Sequence, residues 1–293
     1  MIRCSLGIMA YNEENNMGKL LDTLGHQELS EVEIGEIIVV CSGCTDNTEI
    51  IVKEFIDRDK RIKLISQKER EGKASAINLF LKEAKGDVCV LESADTIPDK
   101  KTIEVLVNPF RDNKIGMTGG HPTPVDDKNT FLGFTVNMLW DLHHRLALEY
   151  PKLGEMVSFR NIIKSIPEET AVDEVSLEAQ IKEKGYELRY IPEAIVYNKG
   201  AETISDFIKQ RRRIYAGHLW VKKNQNYVAS TMNNKRIIGI ILSNIKLKPK
   251  IILFTLGAIL LEAYGRFLGF YDFYFKKKNP YKWDIAESTK KLK

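Results

Sequence analysis

Carboxylates, amides and one lysine recur along this chain at the ends of short apolar runs, in an order suited to a phosphate-bearing, metal-assisted ligand. Ala10-Tyr11-Asn12-Glu13-Glu14 follows a first apolar run and Cys41-Ser42-Gly43-Cys44-Thr45-Asp46 a second. Glu71-Gly72-Lys73 opens a helical pattern, Glu92-Ser93-Ala94-Asp95 closes a third run, and Asp173-Glu174 and Gln210-Arg211-Arg212-Arg213 come later. Each is a weak signal alone. Order and spacing carry the information, because a parallel sheet gathers the carboxyl ends of its strands along one edge.

A nucleoside diphosphate sugar would make three demands that these residues can meet. Its base and ribose need planar polar contacts, which Tyr11, Asn12 and Glu13 offer together, with Asp46 placed for the base edge. Its diphosphate needs countercharge, and Lys73 stands at a helix start, where the positive dipole end favours phosphate. Asp95 supplies a hard oxygen ligand for magnesium or manganese, which can bridge two phosphates and neutralise a departing nucleotide. Taken alone, Asp95 reads equally as a turn residue ahead of Pro98-Asp99. Asp173 and Glu174 are either dipole partners in a first helical turn or a general base for an acceptor hydroxyl. The arginines of the Gln210–Arg213 run can clamp a diphosphate bidentately, form a solvated face, or meet lipid headgroups.

Other residues are softer candidates. His143 and His144 could contact acceptor or metal, but neighbours on a helix point in different directions. His218, one turn beyond the arginines, can reach a diphosphate or its metal; Trp140 reads as core before sugar platform. Cys41-x-x-Cys44 lacks a second Cys or His pair at ligand spacing, so it reads as two small residues in a strand-to-helix turn.

The elements that must position these groups alternate. Residues 2–10, 36–41 and 87–91 read as short strands, with helical patterns at 15–29, 47–58 and 72–84 between them, the signature of βαβ units. A helix at 99–111, a strand near 115–119, an amphipathic stretch at 127–153, a helix at 172–184, a strand at 186–197 and a basic helix at 203–224 continue the series. Asp46 and Thr48 sit where a helix begins, so either can be its N-cap.

A chain of 293 residues with 43% hydrophobic residues suits one large α/β domain plus an appendage and argues against disorder. The net charge is +4, and the basic residues cluster at Lys209–Arg213, Lys222–Lys223, Lys246–Lys250, Lys276–Lys278 and Lys290–Lys293. Flanking apolar sequence, they fit an anionic membrane surface rather than nucleic acid. All four cysteines fall in the first third with no signal peptide apparent, which points to a reducing cytosolic setting. Residues 237–247 are apolar but too short to span a bilayer; 251–275 are long enough, though Glu262, Arg266 and Asp272 interrupt them. Glu262 and Arg266, four apart, can pair on one helix face. The region 237–275 reads as membrane-embedded, a short hairpin or one span plus an interfacial helix, against the alternative of a buried packing helix.

Over residues 2–220 the motif series is similar to the family two inverting glycosyltransferases of GT-A fold, above all their membrane-associated branch with cellulose and hyaluronan synthase relatives. The resemblance implies a Rossmann-like α/β architecture: a mixed, mainly parallel sheet flanked by helices over residues 1–225, followed by membrane-associated helices and a basic tail over 226–293. It implies that Tyr11, Asn12, Glu13, Ser42 and Asp46 hold the nucleoside, with Lys73 at the diphosphate. The family's Asp-x-Asp metal motif falls on Ser93-Ala94-Asp95, so the first carboxylate is missing and Glu92 is the nearest substitute. The Glu-Asp base motif maps to Asp173-Glu174 with Leu177, and Glu174 matches the base. The Gln-x-x-Arg-Trp motif of processive members maps to Gln210, Arg213 and Ile214; without the tryptophan, polymerisation is not implied. His121 falls where the family lines an acceptor pocket. Trp283 with Ser288-Thr289-Lys290 resembles tails of membrane-anchored members.

The expected function is therefore inverting transfer of a sugar from a nucleotide diphosphate donor, with Mg2+ or Mn2+. The expected acceptor is a lipid-linked or exported glycan, reached from the cytoplasmic side of the cell membrane. Three alternatives stand beside it. A catalytically inactive nucleotide-sugar-binding scaffold would explain Ser93, and a sugar nucleotidyltransferase would need a glycine-rich loop that Ala10–Glu14 lacks. A plain membrane-tethered interaction module would leave the polar strand ends without a role. The main reading requires Glu13, Asp46, Lys73, Asp95 and Glu174 to line one cleft.

Overall fold

The computed structural model describes residues 1–244 and 248–277. The tail residues Trp283 and Ser288–Lys290, and the lysines 246, 278, 290, 291 and 293, lie outside the described residues.

Strand β1 (Ile2–Ala10) lies inside an eight-stranded sheet of order β3-β2-β1-β4-β7-β6-β8-β5 and is the central strand between β2 and β4. It pairs in parallel with β2 (Val32–Ser42) and β4 (Val88–Ser93), and β2 pairs in parallel with β3 (Ile62–Gln67). Beyond β4 the sheet is mixed. The short β7 (Val157–Arg160) runs antiparallel between β4 and β6 (Ile115–Pro124). Strand β8 (Glu187–Asn198) is parallel to β6, and the two-residue β5 (Ile97–Pro98) is antiparallel to β8. This is the mixed, mainly parallel α/β sheet that the motif series implied.

The period-two alternation of strand side chains sorts the core onto two faces. Leu6, Ile8, Ile37, Val39 and Val90 pack with Met17, Leu20 and Leu24 of α1 (Met17–Gly25), Val52 of α2 (Thr48–Arg58) and Leu106 of α4 (Thr102–Val107). Ile38, Val40, Cys89 and Leu91 face the other way. They meet Ile77 and Phe80 of α3 (Lys73–Glu83), Ala147 of α5 (Phe131–Glu149) and Leu177 of α6 (Asp173–Glu183). At Gly7 a Cβ would lie 2.6 Å from the Phe80 ring, so α3 rests directly on the central strand.

Several sequence-based boundaries change. Strands β3 and β7 had no assignment: β3 is an edge strand whose Lys63 and Ser66 break its apolar pattern, and β7 is four residues long. The helix expected over 99–111 stops at Val107, where Pro109 diverts the chain into a 3-10 turn over Asn108–Arg111. The stretch 127–153 is helical only from Phe131 to Glu149, entered through Thr130, whose Oγ1 accepts from Gly133 N at 3.1 Å. His121, just beyond the strand expected near 115–119, lies within β6, which runs on to Pro124.

Helix α7 (Ile204–Asn224) carries the arginines, capped by Thr203 Oγ1 accepting from Asp206 N at 3.1 Å. After it come α8 (Asn234–Asn244) and the 26-residue α9 (Pro249–Tyr274). Helix α9 is long and apolar enough to cross a membrane. It packs closely along α7: a Cβ at Gly265 would lie 2.7 Å from Arg211 Cβ, and one at Gly269 2.5 Å from the Arg212 carbonyl oxygen. Glu262 and Arg266 do pair, at 2.7 Å.

Candidate active site

The carboxyl ends of β1, β2 and β4 and the amino ends of α3 and α6 open onto one cleft of about 1110 Å³. That is just above the roughly 300–1,000 Å³ usual for small-molecule sites. Tyr11, Glu13, Ser42, Lys73, Ser93, Asp95, Asp173, Glu174 and Gln210 through Arg213 line it. Four of the five residues expected to share a cleft therefore do so.

The fifth, Asp46, stands behind the wall. Its Oδ2 accepts from Glu14 N at 3.1 Å, and its Oδ1 accepts from Thr48 N at 3.0 Å and Thr48 Oγ1 at 2.6 Å. Burial works against its charge, but these bonds outweigh it and hold the carboxyl below its ordinary range. Asn12, with φ +53°, bridges the loops in a similar way. Its Oδ1 accepts from Thr45 N at 2.8 Å and its Nδ2 donates to Thr45 Oγ1 at 3.1 Å. Asn12 and Asp46 thus lace the two strand-end loops together, while Tyr11, Glu13 and Ser42 face the cleft.

Arg70 was missed by sequence reasoning. Its guanidinium lies 4.5 Å from the Tyr11 ring centroid, and it lines the cleft. The charged run Lys68-Glu69-Arg70-Glu71 ahead of Gly72 was the available signal. Gly43, at φ +70°, lets the second loop approach: a Cβ there would sit 2.5 Å from Arg70 N.

At the centre, Lys73 Nζ reaches Asp173 Oδ2 at 2.8 Å and Glu174 Oε1 at 3.3 Å. Burial opposes the lysine's charge, yet the two carboxylates outweigh it and push its pKa up. Burial also pushes Glu174 up, but Lys73 and Lys152 outweigh it and hold the carboxyl down at about 2. Asp173 is raised, by burial first and then by the Glu174 charge. The amino end of α6 is a favourable seat for both carboxylates.

Two further acids gather beside Asp95. Burial pushes Glu155 up to about 7, assisted by the charges of Asp95 and Glu174, and Asn198 Nδ2 donates to its Oε1 at 3.5 Å. Glu155 lines the cleft from a left-handed backbone, φ +56°. Glu92, the proposed substitute for the missing carboxylate, is 1% exposed, and its Oε1 accepts from Thr96 Oγ1 at 2.5 Å. Burial pushes it up to about 8. Ser93, not Glu92, lines the cleft, because neighbouring strand residues face opposite ways.

Among the described residues, no three His, Cys, Asp or Glu side chains converge tightly enough to hold a metal unaided. The set present nonetheless suits magnesium or manganese. Such ions take one or two carboxylates and complete their shell with phosphate oxygens and water, and a bound cation would draw the raised Glu155 into its ionised form.

The arginines divide. Arg211 binds Glu262 of α9 bidentately, Nε to Oε2 at 2.5 Å and Nη2 to Oε1 at 2.8 Å, and Arg212 binds Asp272 likewise. Arg213 Nη1 donates to the Ala171 carbonyl oxygen at 2.8 Å, just ahead of Asp173. On the far side stand Trp140, Lys152, His143 and His218, so two of the histidine candidates reach the cleft. Burial, then Lys152, drives both imidazoles down to about 3, so each is neutral at pH 7. His121 and His144 instead stack on each other at 4.2 Å and bond to the Pro192 carbonyl and Tyr190 hydroxyl, away from the cleft lining.

Comparison with known proteins agrees with this architecture. The model for glycosyl transferase family 2 matches residues 5–167, and that for glycosyl transferase family group 2 matches 90–270. The chain belongs to glycosyl transferase family 2, and its fold is GT-A. It is 27% identical over 283 residues to the probable glycosyltransferase YdaM of Bacillus subtilis, covering 91% of this chain and 64% of that protein. It is 26% identical over 242 residues to the poly-beta-1,6-N-acetyl-D-glucosamine synthase of Staphylococcus aureus, covering 78% of this chain and 57% of that one. The chain thus spans less than two thirds of either relative's length.

Among solved structures, it resembles the mannosyltransferase PcManGT of Pyrobaculum calidifontis in complex with GDP-Man and Mn2+, with TM-score 0.67 and 18% identity over 94% of this chain and 88% of that one. Glucosyl-3-phosphoglycerate synthase of Mycobacterium tuberculosis, with Mn2+, UDP and glucosyl-3-phosphoglycerate, has TM-score 0.54 and 18% identity over 75% and 79%.

Proposed function

We propose that this chain is an inverting glycosyltransferase that moves a sugar from a nucleoside diphosphate to an acceptor hydroxyl. The observation that carries the reading is the Lys73 ion pair with Asp173 and Glu174 in the same cleft as Asp95. A cationic and an anionic machinery, from helices a hundred residues apart, are thereby set within one ligand's length.

Tyr11, Glu13 and Ser42, with Arg70, hold the nucleoside; Lys73 meets the diphosphate. Asp95, with Ser93 beside it, would hold Mg2+ or Mn2+, which when bound neutralises charge on the departing nucleotide. Lys73 is shared between phosphate and carboxylates, so donor binding draws its charge from Glu174. The carboxyl held at about 2 in the free cleft then becomes a stronger base. Glu174, positioned by Asp173, takes the acceptor proton as the hydroxyl oxygen attacks the anomeric carbon opposite the leaving nucleotide. One displacement inverts that centre. Arg213, held at the Ala171 carbonyl beside the base, adds positive charge to the leaving group's side, and Gln210 lines the same wall.

Residues 1–225 carry this chemistry and 226–293 bring it to the membrane, with the cleft facing the cytoplasm. A lipid-linked or exported glycan acceptor is supported by the apolar floor that α8 and α9 contribute through Ile237, Ile241 and Ile259.

A screen of nucleotide sugars for metal-dependent thermal stabilisation, followed by nucleotide release with acceptor, tests the reading. A preferred donor should raise Tm by mass action and be turned over. Binding without release would favour the inactive scaffold that Ser93 suggests, and no stabilisation by any donor would end the proposal.

A further inference from the structure

The distribution of charge on α9 is inverted relative to a helix on a water-soluble surface. Its acidic residues Glu262 and Asp272 point inward, to Arg211 and Arg212 of α7. Between Leu253 and Tyr274 every exposed position is apolar or aromatic. Leu253, Leu256, Leu260, Tyr264, Phe267 and Tyr271 recur at helical spacing and are 41% to 71% exposed. A continuous stripe of this kind marks a binding surface.

Length and composition alone would let α9 cross a bilayer, but its packing does not. It is bound along its side at four levels. A Cβ at Gly257 would lie 2.9 Å from the Phe131 ring of α5, Gly265 and Gly269 touch α7, and Lys223 lies 6.0 Å from the Phe273 ring. Gly257 to Phe273 is about 24 Å of helix at 1.5 Å per residue, most of a hydrocarbon core of about 30 Å. A perpendicular α9 would carry the lysines and arginines of α7 into that core.

We propose that α9 lies in the plane of an anionic bilayer, its outer stripe sunk among the acyl chains and its inner face fastened to the catalytic domain by the two arginine clamps. Exposed Lys248 and Lys250 at one end and Lys276 and Lys277 at the other supply the charge complement to acidic headgroups. Tyr264, Tyr271 and Tyr274 suit the boundary between headgroup and chain. This deepens the membrane part of the proposed function and rests on that part, not on the donor assignment.

The test uses the full chain with vesicles of phosphatidylcholine, alone or with phosphatidylglycerol. Wild type should float with the anionic vesicles, bind neutral ones at least about tenfold more weakly, and be stripped by alkaline carbonate. Leu260→Glu/Phe267→Glu should lose binding at least about tenfold while keeping its circular dichroism spectrum and donor-induced Tm shift, since both side chains face outward. Resistance to carbonate, with ends of α9 labelled from opposite sides, would overturn the proposal in favour of a spanning helix. No vesicle binding, with a dimer that the double variant converts to monomer, would overturn it in favour of a second copy of the chain. Vesicle binding without any donor response would spare this inference and sink the transferase reading alone.

Discussion

Lys73 Nζ stands 2.8 Å from Asp173 Oδ2, tying the first residue of α3 to the first residue of α6. One cation therefore sets both the donor side and the base side of the cleft. Replacing Lys73 with Met should weaken donor binding at least about tenfold, measured by calorimetry, since a charge-assisted phosphate contact is lost. It should also release Glu174. In wild type the depressed carboxyl contributes stability above its ordinary value of 4.5 that fades as pH falls towards 2. In Lys73→Met that contribution should vanish, and the acid limb of any pH–rate profile should move upward.

Glu174→Gln should keep donor affinity and lose transfer by roughly 10²–10⁴-fold, the range of a positioned general base. The paired Asp173→Asn variant distinguishes roles: if it alone abolishes transfer while Glu174→Gln stays active, Asp173 is the base.

Asp95→Ala should abolish metal-dependent nucleotide release while circular dichroism and the melting curve stay near wild type, because Asp95 lies in the turn after β4, at the cleft, and is not part of the core. Unchanged turnover would remove the metal assignment.

These variants rest on positions that were legible in the chain before its fold was known. Lys73, Asp95 and Glu174 sit at element ends, where apolar periodicity stops and a polar residue begins, and that pattern survives without tertiary information. Asn12 and Asp46 were legible as strand-end residues but not as partners of each other's loops. The bonds Asn12–Thr45 and Asp46–Glu14 cross between the loops and depend on the parallel register of β1 and β2. Arg70 and Glu155 were missed because each reaches the cleft from irregular backbone, where no periodicity points. The sequence leaves the arginine run open between a diphosphate clamp, a solvated face and a headgroup contact; its members divide between α9 and the Ala171 carbonyl, since successive helix positions turn about 100° apart. Strand β7 was too short to register, though its antiparallel insertion carries the sheet past β4.

Glu92→Gln should report the cost of a carboxyl buried in the wrong ionisation state. Its folded pKa of about 8 exceeds the ordinary 4.5, so the native state holds the extra proton and wild-type stability falls as pH rises between those values. The variant, neutral throughout and still able to accept from Thr96, should match wild type near pH 4.5. It should exceed wild type by roughly 1–3 kcal/mol at pH 8 in denaturant titrations.

Phe80 fills the space where a side chain at position 7 would begin, and Lys73 lies two turns earlier on the same helix, about 10 Å along its axis. The central strand therefore sets the height at which α3 presents its leading amine. Even one added methyl at Gly7 would have to lift or tilt that helix like a wedge under a lever. Gly7→Ala should thus blunt affinity for the donor's phosphates from the opposite end of α3, with no atom of the substituted residue near the ligand.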